Sequence, residues 1–293
     1  MKTKLFLTAL LLVFSGSFGT GENFAQTTQA FQIPDSEHAQ ILTSNDGSVL
    51  YGRITAVFET EIEFATDIGI LRIRAADIRS VQEVPQSAFR SGEYWFPNPN
   101  SSRLYFAPKG RMLKKGTGYF QNIYVFFAGF AAGVTDNVTI GGGMSLFPGI
   151  GMDKQLFYLT PKVGIKATQS FDLAAGALVL NVPGDDAGTI GILYGVGTFG
   201  GENSNLTLGF GYGFVNSDFA EKPLVMVGYE GRTSRRTAFV SENWICPGID
   251  DPFISYGFRF FGEKIAVDLA FLNMLGEEAL FPGVPYVDFI YNF

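Results

Sequence analysis

From residue 103 onward, the sequence contains segment after segment in which bulky apolar side chains occupy every second position. In 205–214 the intervening positions hold glycine or threonine, and 189–199 follows the same pattern. A β-strand turns successive side chains to opposite faces, so this period of two predicts strands. A soluble sandwich would place charged residues on its second face, where this chain has glycine. We therefore expect the bulky face to contact lipid. The residues concerned are Ile190, Ile192, Tyr194, Val196, Leu206, Leu208, Phe210, Tyr212 and Phe214.

The last strand of the sequence, 285–293, has one aromatic and apolar face made of Val287, Phe289, Tyr291 and Phe293. The opposite face is mostly polar. This strand resembles the C-terminal insertion signal of bacterial outer-membrane β-barrels. The resemblance implies an outer-membrane location, with outer-membrane lipid and the barrel-assembly machinery as partners.

The connections between the predicted strands alternate between short and long. Outer-membrane barrels have short periplasmic turns and longer outer loops, so the last strand should run toward the periplasm. Counting back predicts an all-β, antiparallel transmembrane barrel of about 12 strands over 103–293, or ten if one pair lies outside. Its first strand would be 103–107, joined by the loop 108–118 to a long strand over 119–134. The short connections are 135–137, 168–170, 200–204, 233–235 and 262–263, and the long ones are 147–154, 183–188, 216–222, 246–251 and 275–284.

The composition limits the classes of function. The 293 residues carry a net charge of −7, which argues against a nucleic-acid partner. Mean hydropathy is only +0.17, as expected when lipid-facing residues alternate with lumen residues. With one cysteine and one histidine, the chain forms no internal disulfide, and we expect no zinc site and no cofactor.

Three segments precede the barrel. Residues 1–25 have the basic start and apolar stretch of a secretory signal peptide. Residues 39–85 predict a small module of five short strands, with a turn at Asp46-Gly47, and 86–102 predict a turn-rich linker. The module resembles the Sm-like fold, although Arg79 is followed by Ser80 where that family usually has glycine, so we do not expect RNA binding. We expect a periplasmic module that serves as a spacer or contacts a periplasmic partner.

The alternation also places charged side chains in the predicted lumen. Arg259 would be the diagonal neighbour of Asp268 across a hairpin, and Asp288 would lie at a similar height on the next strand. The cluster is either a structural salt-bridge network or a selectivity lining for ions. The position of Glu242 stays open because its strand does not alternate cleanly. The lumen candidates are Lys162, Lys166, Glu230, Arg259, Asp268 and Asp288.

A histidine-dependent enzyme site in the barrel is excluded because the only histidine, His38, precedes the small module. The sequence favours a non-enzymatic outer-membrane barrel, either a narrow passive pore or a structural element. Two alternatives stay open. One is an outer-membrane enzyme that uses Asp268 with Asp288, and the other is a secreted soluble β protein with its aromatic residues in a core.

Overall fold

The computed structural model describes residues 31–90, 93–184, 188–276 and 279–293. The predicted signal peptide, 1–25, lies outside the described residues. The chain divides into two compact units, one ending at Gly92 and the other beginning at Glu93.

The first unit is a five-stranded antiparallel sheet with the strand order β4-β3-β2-β1-β5. Its core consists of Leu42, Ile54, Ile62 and Phe64, all fully buried. The β1–β2 turn contains Gly47 at φ +89°, a conformation that favours glycine. The prediction of five strands is therefore confirmed. The strands of this sheet are β1 (His38–Ser44), β2 (Val49–Val57), β3 (Glu61–Thr66), β4 (Gly69–Arg74) and β5 (Ile78–Pro85), with 3₁₀ turns at Ala75–Asp77 and Gln86–Ala88. The two-residue strand β6 (Phe89–Arg90) follows and is not part of the sheet.

The second unit is a closed antiparallel barrel of twelve strands, as predicted. Strands β11 and β12 together make one barrel strand, interrupted at Thr160-Pro161, and the two-residue β16 is an appendage of β15. The barrel closes where β21 pairs with β8, and Phe293 and Gly118 exchange two backbone hydrogen bonds of 2.9 Å. The strands are β7 (Glu93–Tyr94), β8 (Gly118–Ile123), β9 (Phe127–Thr135), β10 (Val138–Ser145), β11 (Phe157–Leu159), β12 (Lys162–Thr168), β13 (Phe171–Asn181), β14 (Thr189–Gly200), β15 (Ser204–Val215), β16 (Asp218–Phe219), β17 (Leu224–Ser234), β18 (Thr237–Ile245), β19 (Phe253–Phe261), β20 (Ile265–Met274) and β21 (Val284–Asn292), with a 3₁₀ turn at Met152–Lys154.

Two strand predictions near the start of the barrel are wrong. Residues 119–134 do not form one strand, because Tyr124 (φ 53°) and Val125 (φ 69°) make a tight turn between β8 and β9. Two consecutive positive φ values define a type I′ hairpin turn, whose usual asparagine or glycine is absent here. The expected first strand at 103–107 is also wrong, since β8 takes that place in the barrel. The strand count stays even, and both ends of the barrel chain lie at the end with short turns.

The outer surface of the barrel is apolar. In β21 and the residue that follows it, Phe289, Tyr291 and Phe293 are each about half exposed, at 51%, 48% and 59%, while Asp288 and Ile290 are buried. In β15, Leu206, Leu208 and Phe210 are exposed at 41–50% and alternate with buried Asn205 and Thr207. A closed sheet satisfies its backbone hydrogen bonds internally, so an apolar exterior of this kind suits a lipid bilayer. The second unit is therefore a transmembrane β-barrel.

Within the described residues, no helix has the length and apolar character needed to cross a membrane.

Strand β14 faces opposite to the prediction. Val196 (2% exposed) and Thr198 (0%) point into the barrel, whereas Leu193 and Phe199 are exposed on the outside. The reason is the register with β15, which places Val196 beside Gly209 and Tyr194 beside Gly211. Bulky side chains of one strand fill the space that the glycines of the next leave empty. Because the side-chain period is two, a one-residue shift in register exchanges the two faces.

Candidate functional site: the barrel lumen

Residues 95–117 are called here the inner segment; their central part, 98–113, lies inside the barrel, whereas 114–117 are exposed. The inner segment includes the region 97–102 that the composition predicts as a linker, where Asn98, Asn100 and Ser102 are at most 4% exposed. Side chains from strands β10, β12, β13, β14, β17, β18, β19, β20 and β21 form hydrogen bonds or ion pairs with the inner segment. Contacts from so many strands place the segment across the lumen.

Residues 102–109 of the inner segment form a tight hairpin. Arg103 pairs with Pro108, the Leu104 N–H donates to the Ala107 carbonyl at 2.9 Å, and the Lys109 N–H donates to the Ser102 carbonyl at 3.0 Å. Leu104, Ala107 and Lys109 are fully buried, whereas Phe106 at the tip is 52% exposed. The residues predicted as the first barrel strand are therefore one arm and the tip of this hairpin.

Glu242 on β18 holds the tip of the hairpin. Its Oε2 accepts hydrogen bonds from the backbone N–H groups of Tyr105, Phe106 and Ala107, at 2.9, 3.0 and 3.0 Å. Its Oε1 accepts one from the indole of Trp244 at 2.7 Å. A buried carboxylate is costly unless it is fully hydrogen-bonded, and this one receives four donors. The side chain that the sequence left unassigned thus points inward and binds a turn of the chain's own backbone.

The predicted carboxylates of β20 and β21 are balanced by two arginines. Arg259 donates two hydrogen bonds to Asp268, at 2.6 and 2.8 Å. Arg103 of the inner segment lies 2.6 Å from Asp288 and 3.7 Å from Asp268. Arg259 also donates to the Leu104 carbonyl at 2.7 Å. All four side chains are at most 5% exposed. The structure thus brings Arg259, Asp268 and Asp288 together and adds Arg103.

Two lysines and Glu230 complete the network. Lys109 forms a buried ion pair with Glu230, which also accepts from the Asn98 amide at 2.8 Å. Lys162 on β12 donates to the backbone carbonyls of Ser102, Lys109 and Arg111 at 2.8–3.1 Å. The cation that pairs with Glu230 thus comes from the inner segment, whereas the cation that binds the carbonyls of the inner segment, Lys162, comes from the barrel wall. Lys166, by contrast, is exposed and belongs to no described ion pair.

The lower part of the inner segment is tied to the short-turn end of the barrel. Arg111 pairs with Asp172 at 3.0 Å and donates to the carbonyls of Gly200 and Gly201. Gly110 runs directly against β13, because a Cβ at this position would overlap the backbone of Asp172. The inner segment therefore fits the wall closely where it crosses the barrel.

Four members of the network, Arg103, Lys109, Arg111 and Asp172, were not among the predicted lumen residues. One signal was present. The stretch 103–115 holds five basic residues and precedes the strands with predicted lumen carboxylates. Buried charges are paired, so this basic stretch was a candidate source of partners for those carboxylates.

Above the hairpin, toward the long-loop end, the lumen holds a cavity of about 680 Å³. Phe106 forms part of its floor. Its walls include Leu178, Leu180, Ile192, Tyr194, Met226 and Trp244. Lumens of membrane barrels are usually polar, so an apolar wall on this side of the protein is unusual.

The arrangement offers little for acid–base catalysis. Asp268 and Asp288 are both ion-paired to arginines, and Glu242 is saturated with N–H donors. Among the described residues, no group of three or more His, Cys, Asp and Glu could hold a metal ion. His38 lies in the first unit, in β1.

No family model matches the chain, and no curated protein is similar to it in sequence. Solved structures give only distant similarities. The KdgM porin is 6% identical with a TM-score of 0.45, over 60% of this chain and 98% of that chain. The NanC porin is 8% identical with a TM-score of 0.39, over 60% and 97%. A loop-deletion mutant of OmpT, an outer-membrane protein of Vibrio cholerae, is 8% identical with a TM-score of 0.34, over 88% and 97%.

Proposed function

We propose that the protein is a non-enzymatic outer-membrane β-barrel whose lumen is closed by its own inner segment. The observation that carries this proposal is the contact of that segment with inward side chains of nine strands. A network in which nearly every buried charge has a partner stiffens and blocks the barrel. Of the two interpretations of the lumen charges, we therefore favour a structural network over a selectivity lining for ions.

Several features support an orientation with the long loops outside. The terminal strand presents Val287, Phe289, Tyr291 and Phe293 outward, as an insertion signal for the barrel-assembly machinery requires, and it ends at the short-turn end. The short turns would then face the periplasm. In this orientation the first unit, whose resemblance to the Sm-like fold stays a prediction, would be periplasmic. It would serve as a spacer or bind a periplasmic partner, with no nucleic acid involved.

The closed lumen is tested by planar-bilayer recording of the refolded full chain. The wild type should show only small, infrequent conductance steps. Glu242→Ala should conduct more, because the three N–H groups at the hairpin tip lose their acceptor. Glu202→Ala, in an exposed short turn, is the matched control and should behave as wild type. A large, steady wild-type conductance would contradict the closed lumen and restore the pore interpretation.

The alternatives are tested separately. A secreted soluble protein would stay in solution without detergent, whereas we expect the mature chain to fractionate with outer membranes and to show heat-modifiable gel mobility. An enzyme that uses Asp268 with Asp288 would need a carboxylate free of its arginine, which the observed pairing does not offer.

A further inference from the structure

The cavity above the hairpin is an apolar chamber inside a membrane protein, open toward the long loops. Phe106 is 52% exposed although it lies within the barrel, and it forms the floor together with Tyr105. Leu178, Leu180, Ile192 and Met226 contribute to the walls. Apolar surface of this extent facing water is unfavourable, and concave apolar sites of this kind usually hold a ligand.

The dimensions of the chamber suit an elongated ligand. Its volume is about 680 Å³, within the range of small-molecule sites. The wall of β14 extends from Val196 near the floor to Ile192 higher up, which corresponds to about 10 Å along the barrel axis for a tilted strand. The inward positions of β15 opposite these residues are glycines, Gly209, Gly211 and Gly213, so no side chain from this part of β15 enters the chamber. A chamber of this volume and length, with a largely apolar wall, accommodates an unbranched aliphatic chain.

The loops at the open end restrict the polar part of such a ligand. Their described parts hold five carboxylates and only two lysines, so a negatively charged headgroup would be repelled there. An uncharged or zwitterionic headgroup would not be. The carboxylates are Asp153, Asp218, Glu221, Asp250 and Asp251, and the lysines are Lys154 and Lys222.

From this geometry we infer that the chamber binds one single-chain amphiphile, with its aliphatic chain against Phe106 and its uncharged or zwitterionic headgroup between the long loops. The inference rests on the proposed closed lumen only in that the inner segment forms the floor. The walls themselves belong to the barrel.

Trp244 lies in the chamber wall and reports on its occupancy. The full chain in nanodiscs of zwitterionic lipid is titrated with 12-bromododecylphosphocholine below its micellar range. We expect saturable quenching of Trp244 at one equivalent, absent in Trp244→Phe, which keeps only Trp95. The unbrominated amphiphile should compete for the same site and reverse the quenching of Trp244. Shortening the chain should weaken binding about fourfold per methylene removed. The carboxylate analogue, 12-bromododecanoate, should bind more weakly at low salt, and the difference should shrink at high salt.

The wall is tested with a matched pair of variants. Leu180→Asn combined with Ile192→Asn should weaken the saturable phase at least tenfold, while Ile68→Asn, in an exposed turn of the first unit, should not. Heat-modifiable mobility establishes that each variant is folded. Quenching that never saturates, or that is equal in the wall variant and the wild type, would overturn the inference and indicate partition into the bilayer only. Binding is read independently of conductance, so a conducting wild type would refute the closed lumen without deciding the chamber.

Discussion

The guanidinium of Arg103 lies 2.6 Å from the carboxylate of Asp288, although the two residues are 185 positions apart in the sequence. Arg103 belongs to the inner segment and Asp288 to the strand that closes the barrel. Both side chains are nearly fully buried. This ion pair therefore links the inner segment to the barrel wall.

Removing one charge of this pair should destabilise the protein. Asp288→Asn leaves Arg103 buried beside a neutral partner, and we expect a loss of about 3 kcal/mol in the free energy of unfolding, measured by urea unfolding in lipid vesicles. Asp250→Asn, in an exposed loop, should have little effect. The double variant Arg103→Met with Asp288→Asn should lose less than the sum of the two single changes. Strict additivity would show that the pair does not couple.

A methyl group at Gly110 should displace the inner segment. Its Cβ would overlap the carbonyl of Asp172, which is backbone and cannot rotate away. Gly110→Ala should therefore cost about 1–3 kcal/mol and raise the bilayer conductance. Gly201→Ala, at a glycine with open space around it, is the control. Unchanged conductance in Gly110→Ala would indicate that the lumen is closed without this contact.

The turn between β8 and β9 can be improved. Val125 has φ 69°, a conformation that is costly for a β-branched side chain. Val125→Gly should stabilise the barrel by about 1 kcal/mol, seen as a higher temperature for the mobility shift on gels. The stability of Val125→Ala should fall between that of the wild type and that of Val125→Gly, since alanine removes only the β-branching. A destabilised glycine variant would argue against this turn.

The pH response of the first unit should centre on His38. Its Nδ1 lies 2.7 Å from the Asp35 carboxylate, and this hydrogen bond raises the pKa of His38. Glu83, at 3.5 Å, acts in the same direction. The stabilisation should be fully present below the ordinary imidazole pKa of about 6.5 and should disappear as the pH rises through the higher folded value. NMR of the single labelled histidine measures this titration, and Asp35→Asn should lower the pKa. An unchanged pKa in that variant would exclude the hydrogen bond as the cause.

The sequence predicted those features that depend on local alternation and loop length. The outward face of β21 is of this kind. The count of twelve strands was also correct, although it included 103–107 as a strand and treated 119–134 as one strand instead of two. The turn at Tyr124-Val125 escaped prediction because it lacks the residues that usually mark a hairpin. The segment around Leu104 alternates like a strand, and only the basic residues that follow it, Lys109, Arg111, Lys114 and Lys115, distinguish it. The faces of β14 could not be predicted from that strand alone, because the glycines of β15 decide which face turns inward.

Closure of the barrel bears on how the chain folds. Most neighbouring barrel strands are also neighbours in sequence, but β8 and β21 are brought together from opposite ends of the barrel chain. Joining such distant segments has an entropic cost that grows only slowly with the length of the loop. Arg103 and Asp288 close nearly the same loop, so the pairing of β8 with β21 and the Arg103–Asp288 ion pair share a single entropic cost. The last step of assembly should therefore be cooperative, with the β8–β21 pairing and the hairpin 102–109 becoming ordered together.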